Sequence, residues 1–253
     1  MSLRMEIEAQ YSRELDGYVR LGELAWTLSQ RNQSLVAIDT ARPSTAAVLG
    51  LHAKARKSFQ AIDVLAREGY GEDAMIVARS LVNLCIDLGY ICRTDSENRV
   101  RQWMARGRVS RRDMAKTFHR TPSDESTVDW TVMITRAKEW KDVSILNRAK
   151  DAGLLNFYEI AYRHGSVYEH SDAWGALAFL DLVADAVEVQ PDPSPHLVDN
   201  ALLIGAFAFA QVVQTVAEFW KFDFGGLDTE IHTVVSTAFE RSASSHSEDS
   251  SSA

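Results

Sequence analysis

The chain has little that cross-links or bends a polypeptide. Its 253 residues hold two cysteines, Cys85 and Cys92. These lie seven apart in what reads as one helix, about 10 Å at 1.5 Å rise per residue, too far for a disulfide. Five prolines and 13 glycines are few for this length, which argues against an all-β sandwich and against linker-rich or collagen-like chains. The first eighteen residues are too acidic and too polar for a secretory signal, so a cytoplasmic location is expected. The sequence contains no HExxH, no CxxC pair, no glycine-rich phosphate loop and no GxSxG. Zinc-hydrolase, P-loop and serine-hydrolase readings therefore have no support. Di-iron bundles need a Glu-x-x-His on each of two helices, and neither His170 nor His232 has an acid three positions before it. No metal or cofactor is expected. What is abundant is apolar side chain, 46% of the residues, enough for a large core without staples.

The formal charge of −8 excludes a uniformly basic nucleic-acid coat protein, but the charge is unevenly placed. Residues 151–253 carry 16 acidic side chains against Arg163, Lys221 and Arg241, a net of −13. Residues 1–150 carry 24 basic and 19 acidic groups, a net of +5. Within them, residues 93–120 hold nine basic side chains against Asp95, Glu97 and Asp113, which is +6 in 28 residues. Of the 27 basic residues 20 are arginine, the side chain suited to bidentate phosphate contact. Such a run is either a solvated face that balances the acidic half or a surface for RNA. Arg106, Arg108, Arg111 and Arg112 are the expected RNA-backbone contacts.

The pattern is helical nearly throughout. Leu3, Ile7, Tyr11, Leu15, Tyr18, Leu21, Leu24 and Leu28 form one stripe at three- and four-residue spacing over 3–31. Further helices are expected at 45–68, 72–93, 96–106, 110–118, 126–141, 143–152, 153–171, 173–188, 196–221 and 227–240. Thr121, Pro122 and Ser123 break the pattern, and Pro191, Pro193 and Pro195 read as a linker. Helix 72–93 is apolar on almost every side and should be central. No stretch alternates convincingly with period two, so strands are not expected. The run 201–210 is ten apolar residues, too short to span a bilayer before Gln211, Gln214 and Glu218, and reads as a buried core helix. No membrane association is expected. The serine-rich 242–253 has no large apolar side chain and should be disordered.

Two groups of residues could carry chemistry. Arg79, Asn83 and Asp87 follow at i, i+4 and i+8 along the central helix, a polar seam in an apolar element. An unpaired guanidinium in a core is costly, so Arg79 needs water or a partner. The second group lies in 158–171, where Tyr162, Arg163, His164, Ser166 and His170 crowd together. Seven residues of helix turn through 700°, so Arg163 and His170 point within about 20° of each other. Ser166 lies between them. An imidazole can move a proton near pH 7 and a guanidinium can hold a phosphate as its charge grows. These are the parts a metal-independent ribonuclease needs, because RNA carries its own nucleophile in the 2′-hydroxyl. The same residues also suit a self-satisfied structural helix.

The stretch Leu65-Ala66-Arg67-Glu68-Gly69-Tyr70-Gly71-Glu72-Asp73-Ala74, then Ala78-Arg79-Ser80-Leu81, and later Tyr158 to Tyr162, Ser166 and His170, resembles a broad bacterial family of uncharacterised all-helical proteins linked to defence and mobile elements. The resemblance covers about residues 45–190. Where that family usually has a glutamate this chain has Asn83. Arg163, His164 and His170 also resemble the Arg-polar-…-His motif of HEPN nucleases, with Gly165 as a departure inside it. The HEPN resemblance implies a catalytic arginine and histidine, a site commonly completed across a dimer, and no metal.

The expectation is thus an all-α bundle of about eight to ten helices. It would be one domain over 1–241, with a HEPN-like four-helix core (about 45–220) and extra helices at both ends. The expected function is a HEPN-like endoribonuclease acting as a toxin or antiphage effector. Arg163, His170 and His164 would be catalytic, with Arg79, Asn83, Ser166 and Tyr162 in the supporting pocket. RNA is the expected substrate, a homodimer the expected assembly, and a protein partner such as an antitoxin possible in kind. The alternative is a non-catalytic helical protein-interaction or nucleotide-sensing module.

Overall fold

The structure, a computed structural model, describes residues 1–36, 42–117, 129–163, 180–183, 186–189 and 192–239. It is an all-α bundle. The helices are α1 (Leu3–Gln10), α2 (Ser12–Arg31), α3 (Pro43–Arg67), α4 (Gly71–Arg93), α5 (Ser96–Thr117), α6 (Trp130–Asp142), α7 (Ile145–Ala152), α8 (Leu155–Phe157), α9 (Val198–Trp220) and α10 (Leu227–Phe239). A 3-10 turn, Gln33–Leu35, follows α2, and a π-helical turn, Tyr158–Tyr162, follows α8.

Three departures from the sequence pattern have local causes. The stripe over 3–31 is two helices, because the backbone turns out of helical geometry at Tyr11, at φ −112° and ψ 24°. The basic segment is one helix, α5, where two short ones were expected. Its Gly107 has open space around its Cα and is tolerated inside the helix. Within the expected helix 173–188, the described residues instead form two antiparallel strands, β1 (Leu180–Val183) and β2 (Ala186–Val189), with Leu180 opposite Val189 and Val183 opposite Ala186. Leu180 and Leu182 alternate with Asp181, and Val187 and Val189 with Glu188. That is period two, although Leu180, Val183 and Val187 also fit helical spacing. The expected breaks at Thr121, Pro122, Ser123 and Pro191 and the tail 242–253 lie outside the described residues.

The core is assembled around α4 and α9, which pack against each other and against α3. Both are long and apolar enough to cross a membrane, but 56% of the α4 window and 61% of the α9 window are buried inside the fold. Burial against neighbouring helices accounts for their composition, including the run 201–210. Tyr18 of α2 stacks on Phe59 of α3 at 3.8 Å between ring centroids, and Phe59 stacks on Phe209 of α9 at 4.2 Å. The Tyr18 hydroxyl donates to the Phe59 carbonyl at 3.1 Å, which satisfies it in the core. α9 comes this close because residue 205 is glycine; a Cβ there would sit 2.7 Å from the Tyr18 hydroxyl.

The N-terminus of α4 is fixed by the segment expected to be a linker. The Ser194 amide donates to the Gly69 carbonyl at 2.8 Å, and the Tyr11 hydroxyl donates to the Pro195 carbonyl at 3.2 Å. Gly71 opens α4 directly against this segment, and a Cβ at that position would lie 1.9 Å from the His196 carbonyl oxygen. Both cysteines are free. Burial pushes the Cys85 thiol well up and the Cys92 thiol up to about 12, so neither is a nucleophile.

Candidate nucleic-acid interface

α4 carries its polar seam along one side, and the seam is split between two partners. Arg79 donates through Nη2 to the Tyr162 hydroxyl at 2.8 Å, and its guanidinium carbon lies 4.6 Å from the centre of the same ring. Tyr162 in turn stacks on Tyr158 at 5.0 Å. The charged donor and the ring face act together to hold the π-helical turn onto the central helix. Helices of this type are rare, appear mostly as single turns, and are frequent at functional sites. Asn83, one turn further along, is half-buried, and its side chain makes no hydrogen bond among the described residues.

Asp87, eight residues beyond Arg79, meets Arg148 of α7, with Nε and Oδ1 2.9 Å apart. Asp87 is 13% exposed and Arg148 12%. Neither atom satisfies hydrogen-bond geometry with the other, so the contact is ionic and poorly directed. Arg148 is held by other means. Its Nη1 donates to the Val143 carbonyl at 2.8 Å, and its guanidinium lies 4.8 Å from the Trp140 ring centre. Burial raises the Asp87 carboxyl to about 6, against the pull of Arg148 and Lys54.

Asp87 forms the floor of an open cleft of about 480 Å³ between α4, α5 and α6. Trp103 and Trp140 contribute apolar surface, and Arg106, Arg108 and Arg111 line the rim. All three arginines are on the exposed side of α5. Two further members of the basic run lie against aromatic rings. Arg112 lies over Trp130 at 4.3 Å, and Arg99 lies 3.7 Å from the Tyr90 ring centre and donates to the Tyr90 carbonyl. Of the four expected RNA-backbone contacts, Arg106, Arg108 and Arg111 thus share one cleft, whereas Arg112 packs against an aromatic ring. Sequence reasoning placed Asp87 in the seam but did not join it to Arg148, Trp103 and Trp140. Those four come from different helices and have no common spacing.

The C-terminal end of the π-turn leads to Arg163, which is 66% exposed and donates to Glu159 one turn back at 2.8 Å. The other expected site residues, His164, Ser166 and His170, lie outside the described residues. Among the described residues no group of three or more histidines, cysteines and carboxylates could hold a metal ion.

A separate groove of about 440 Å³ runs between α2 and α3, lined by Trp26, His52, Arg56, Phe59 and Asp63 among others. Arg56 sits 4.6 Å from the Trp26 ring centre. Burial, aided by Arg56, lowers the His52 imidazole below its ordinary range.

Residues 45–186 match the family described as a family of unknown function, DUF5677. That stretch is more than half of the chain, and the chain belongs to this family. The matched residues include Arg79, Asn83, Asp87, the α5 arginines, Arg148 and Arg163. No curated protein and no solved structure matches the chain.

Proposed function

We propose that this member of the DUF5677 family is an RNA-binding endoribonuclease of the HEPN type, acting as a toxin or antiphage effector. The observation that carries the reading is the α4–α5–α6 cleft, where three exposed arginines rim a floor flanked by two tryptophans. Arginine on the rim suits phosphate, and aromatic surface suits unstacked bases, the pairing that single-stranded nucleic acid requires. α4 links this cleft to the reactive segment. Arg79 and Asp87 are eight residues apart on one helix, about 12 Å along its axis, and Arg79 holds Tyr162, next to Arg163.

In the proposed reaction the RNA 2′-hydroxyl attacks the adjacent phosphorus and the bond to the 5′-oxygen breaks. The products are a 2′,3′-cyclic phosphate and a 5′-hydroxyl end. His170 takes the proton from the 2′-hydroxyl or returns one to the leaving 5′-oxygen. Arg163 offsets charge on the phosphate oxygens, and His164 and Ser166 position it. A homodimer would complete the site. The test is cleavage of total or transfer RNA by wild type, His170→Ala and Arg163→Ala. Loss of cleavage in both variants supports the assignment, and cleavage equal to wild type in both contradicts it.

A second reading, a nucleotide-sensing module without strand scission, is favoured by the α2–α3 groove, which sets a cation and aromatic side chains around one cavity. A thermal shift on adding nucleotides, with RNA left intact, would support it.

A further inference from the structure

The floor of the arginine cleft is acidic, and this restricts what enters it. Among the described residues, Asp87 is the one carboxylate lining the cleft. Its buried Oδ1 lies 2.9 Å from Arg148 Nε without hydrogen-bond geometry, while the second carboxylate oxygen is not sealed off in this way. Arg148 cannot swing away to relieve it, because that side chain is bonded to the Val143 carbonyl and stacked on Trp140. A carboxylate oxygen that faces the cleft rather than Arg148 can only accept, so it suits a ligand that brings an N–H. A phosphate is the wrong group for the floor, since two anions would meet there at low dielectric. An RNA strand in this cleft would keep its phosphates at the rim with Arg106, Arg108 and Arg111 and turn a base inward past Trp103.

We propose that Asp87 selects the base in this cleft by accepting a hydrogen bond from the exocyclic amino group of cytosine, adenine or guanine. The inference rests on the RNA-binding reading above. A carboxylate accepting from an amino group is an established mode of base readout. Uracil offers only an imide N–H between two carbonyl oxygens, whose lone pairs oppose the carboxylate. The cleft thus prefers amino-bearing bases and disfavours uracil.

The experiment measures binding of the full chain to 2′-O-methyl homopolymers of cytosine, adenine and uracil at pH 7.5 by fluorescence anisotropy. These oligomers lack the nucleophile, so binding is read without cleavage. A fourth oligomer carries purine in place of adenine, with the same stacking surface and no amino group. The expected result is about tenfold tighter binding of the cytosine and adenine oligomers than of the uracil oligomer, with the purine oligomer falling to the uracil level.

The preference should fade as the pH falls through about 6, where the Asp87 carboxyl takes up its proton. The charges facing it are Arg148 from α7, Lys54 from α3 and the rim arginines from α5, all of which keep their charge in this range. In Asp87→Leu, which leaves no acceptor, binding of the cytosine and adenine oligomers should fall to the level of the uracil oligomer, with folding checked by circular dichroism. If that variant does not fold, the adenine–purine comparison in wild type decides alone. Equal affinity for the cytosine, adenine and uracil oligomers overturns the role of Asp87 and leaves RNA binding standing. Binding to none of them overturns the RNA-binding reading and this inference with it.

Discussion

Arg79 and Tyr162, 83 residues apart in sequence, are joined by a 2.8 Å hydrogen bond and by the guanidinium lying over the tyrosine ring. The pair fastens the π-helical turn to the central helix one residue before Arg163. Tyr162→Phe removes the hydroxyl and keeps the ring, and should cost about 1.5 to 3 kcal/mol, the range for a hydrogen bond to a charged group. Arg79→Ala loses the ring contact as well and should cost more. Urea unfolding of both variants measures this order, and equal midpoints for wild type and both variants would refute it.

The aromatic stack Tyr18–Phe59–Phe209 joins three helices at the centre of the bundle. Phe59→Ala should destabilise by about 3 to 5 kcal/mol, through lost burial and the cavity left behind. Thermal denaturation checks it. Phe59 also lines the α2–α3 groove, so the same variant should widen that groove.

Gly71 and Gly50 make a matched pair. Gly71→Ala drives a methyl group to 1.9 Å from the His196 carbonyl oxygen, so α4 must shift at its first residue. A cost of about 1 to 3 kcal/mol is expected, as for other overpacked sites. Gly50 lies inside α3 with nothing within 4 Å of a new Cβ. Gly50→Ala should therefore stabilise by about 0.5 to 1 kcal/mol through helix propensity. Opposite shifts in melting temperature are the expected readout.

Asp87 ties stability to pH. Its carboxyl titrates near 6 in the folded chain against an ordinary 3.8. A raised carboxyl means that the folded state binds the proton more tightly than the unfolded state. Stability from this group is greatest below pH 4 and falls as the pH rises toward 6, by up to about 3 kcal/mol. Asp87→Asn should lack this fall. Unfolding free energies of the two proteins between pH 4 and 7 give the comparison, and parallel curves would show that Asp87 is not the group responsible.

The helices were legible because their apolar side chains recur at three- and four-residue spacing. The stripe Leu15, Tyr18, Leu21, Leu24 and Leu28 is buried as its period requires. The apolar surround of α4 likewise marked it as central. The strand pair Leu180–Val183 and Ala186–Val189 was missed because segments of four residues satisfy two periods at once. The polar seam was legible as a seam, since Arg79, Asn83 and Asp87 stand out in an apolar helix. Its partners were not. Tyr162 and Arg148 reach α4 only through the packing of α7 and the π-turn, and no local pattern encodes a contact across 83 residues.

The most direct test of the account is the salt dependence of binding to a single-stranded RNA. Each arginine–phosphate contact contributes about 0.7 to the slope of log affinity against log salt concentration for single strands. Replacing Arg106, Arg108 and Arg111 together with glutamine should weaken binding at low salt and lower the magnitude of the slope by about 2. An unchanged slope, or binding as tight as wild type, would show that this cleft is not where the RNA lies.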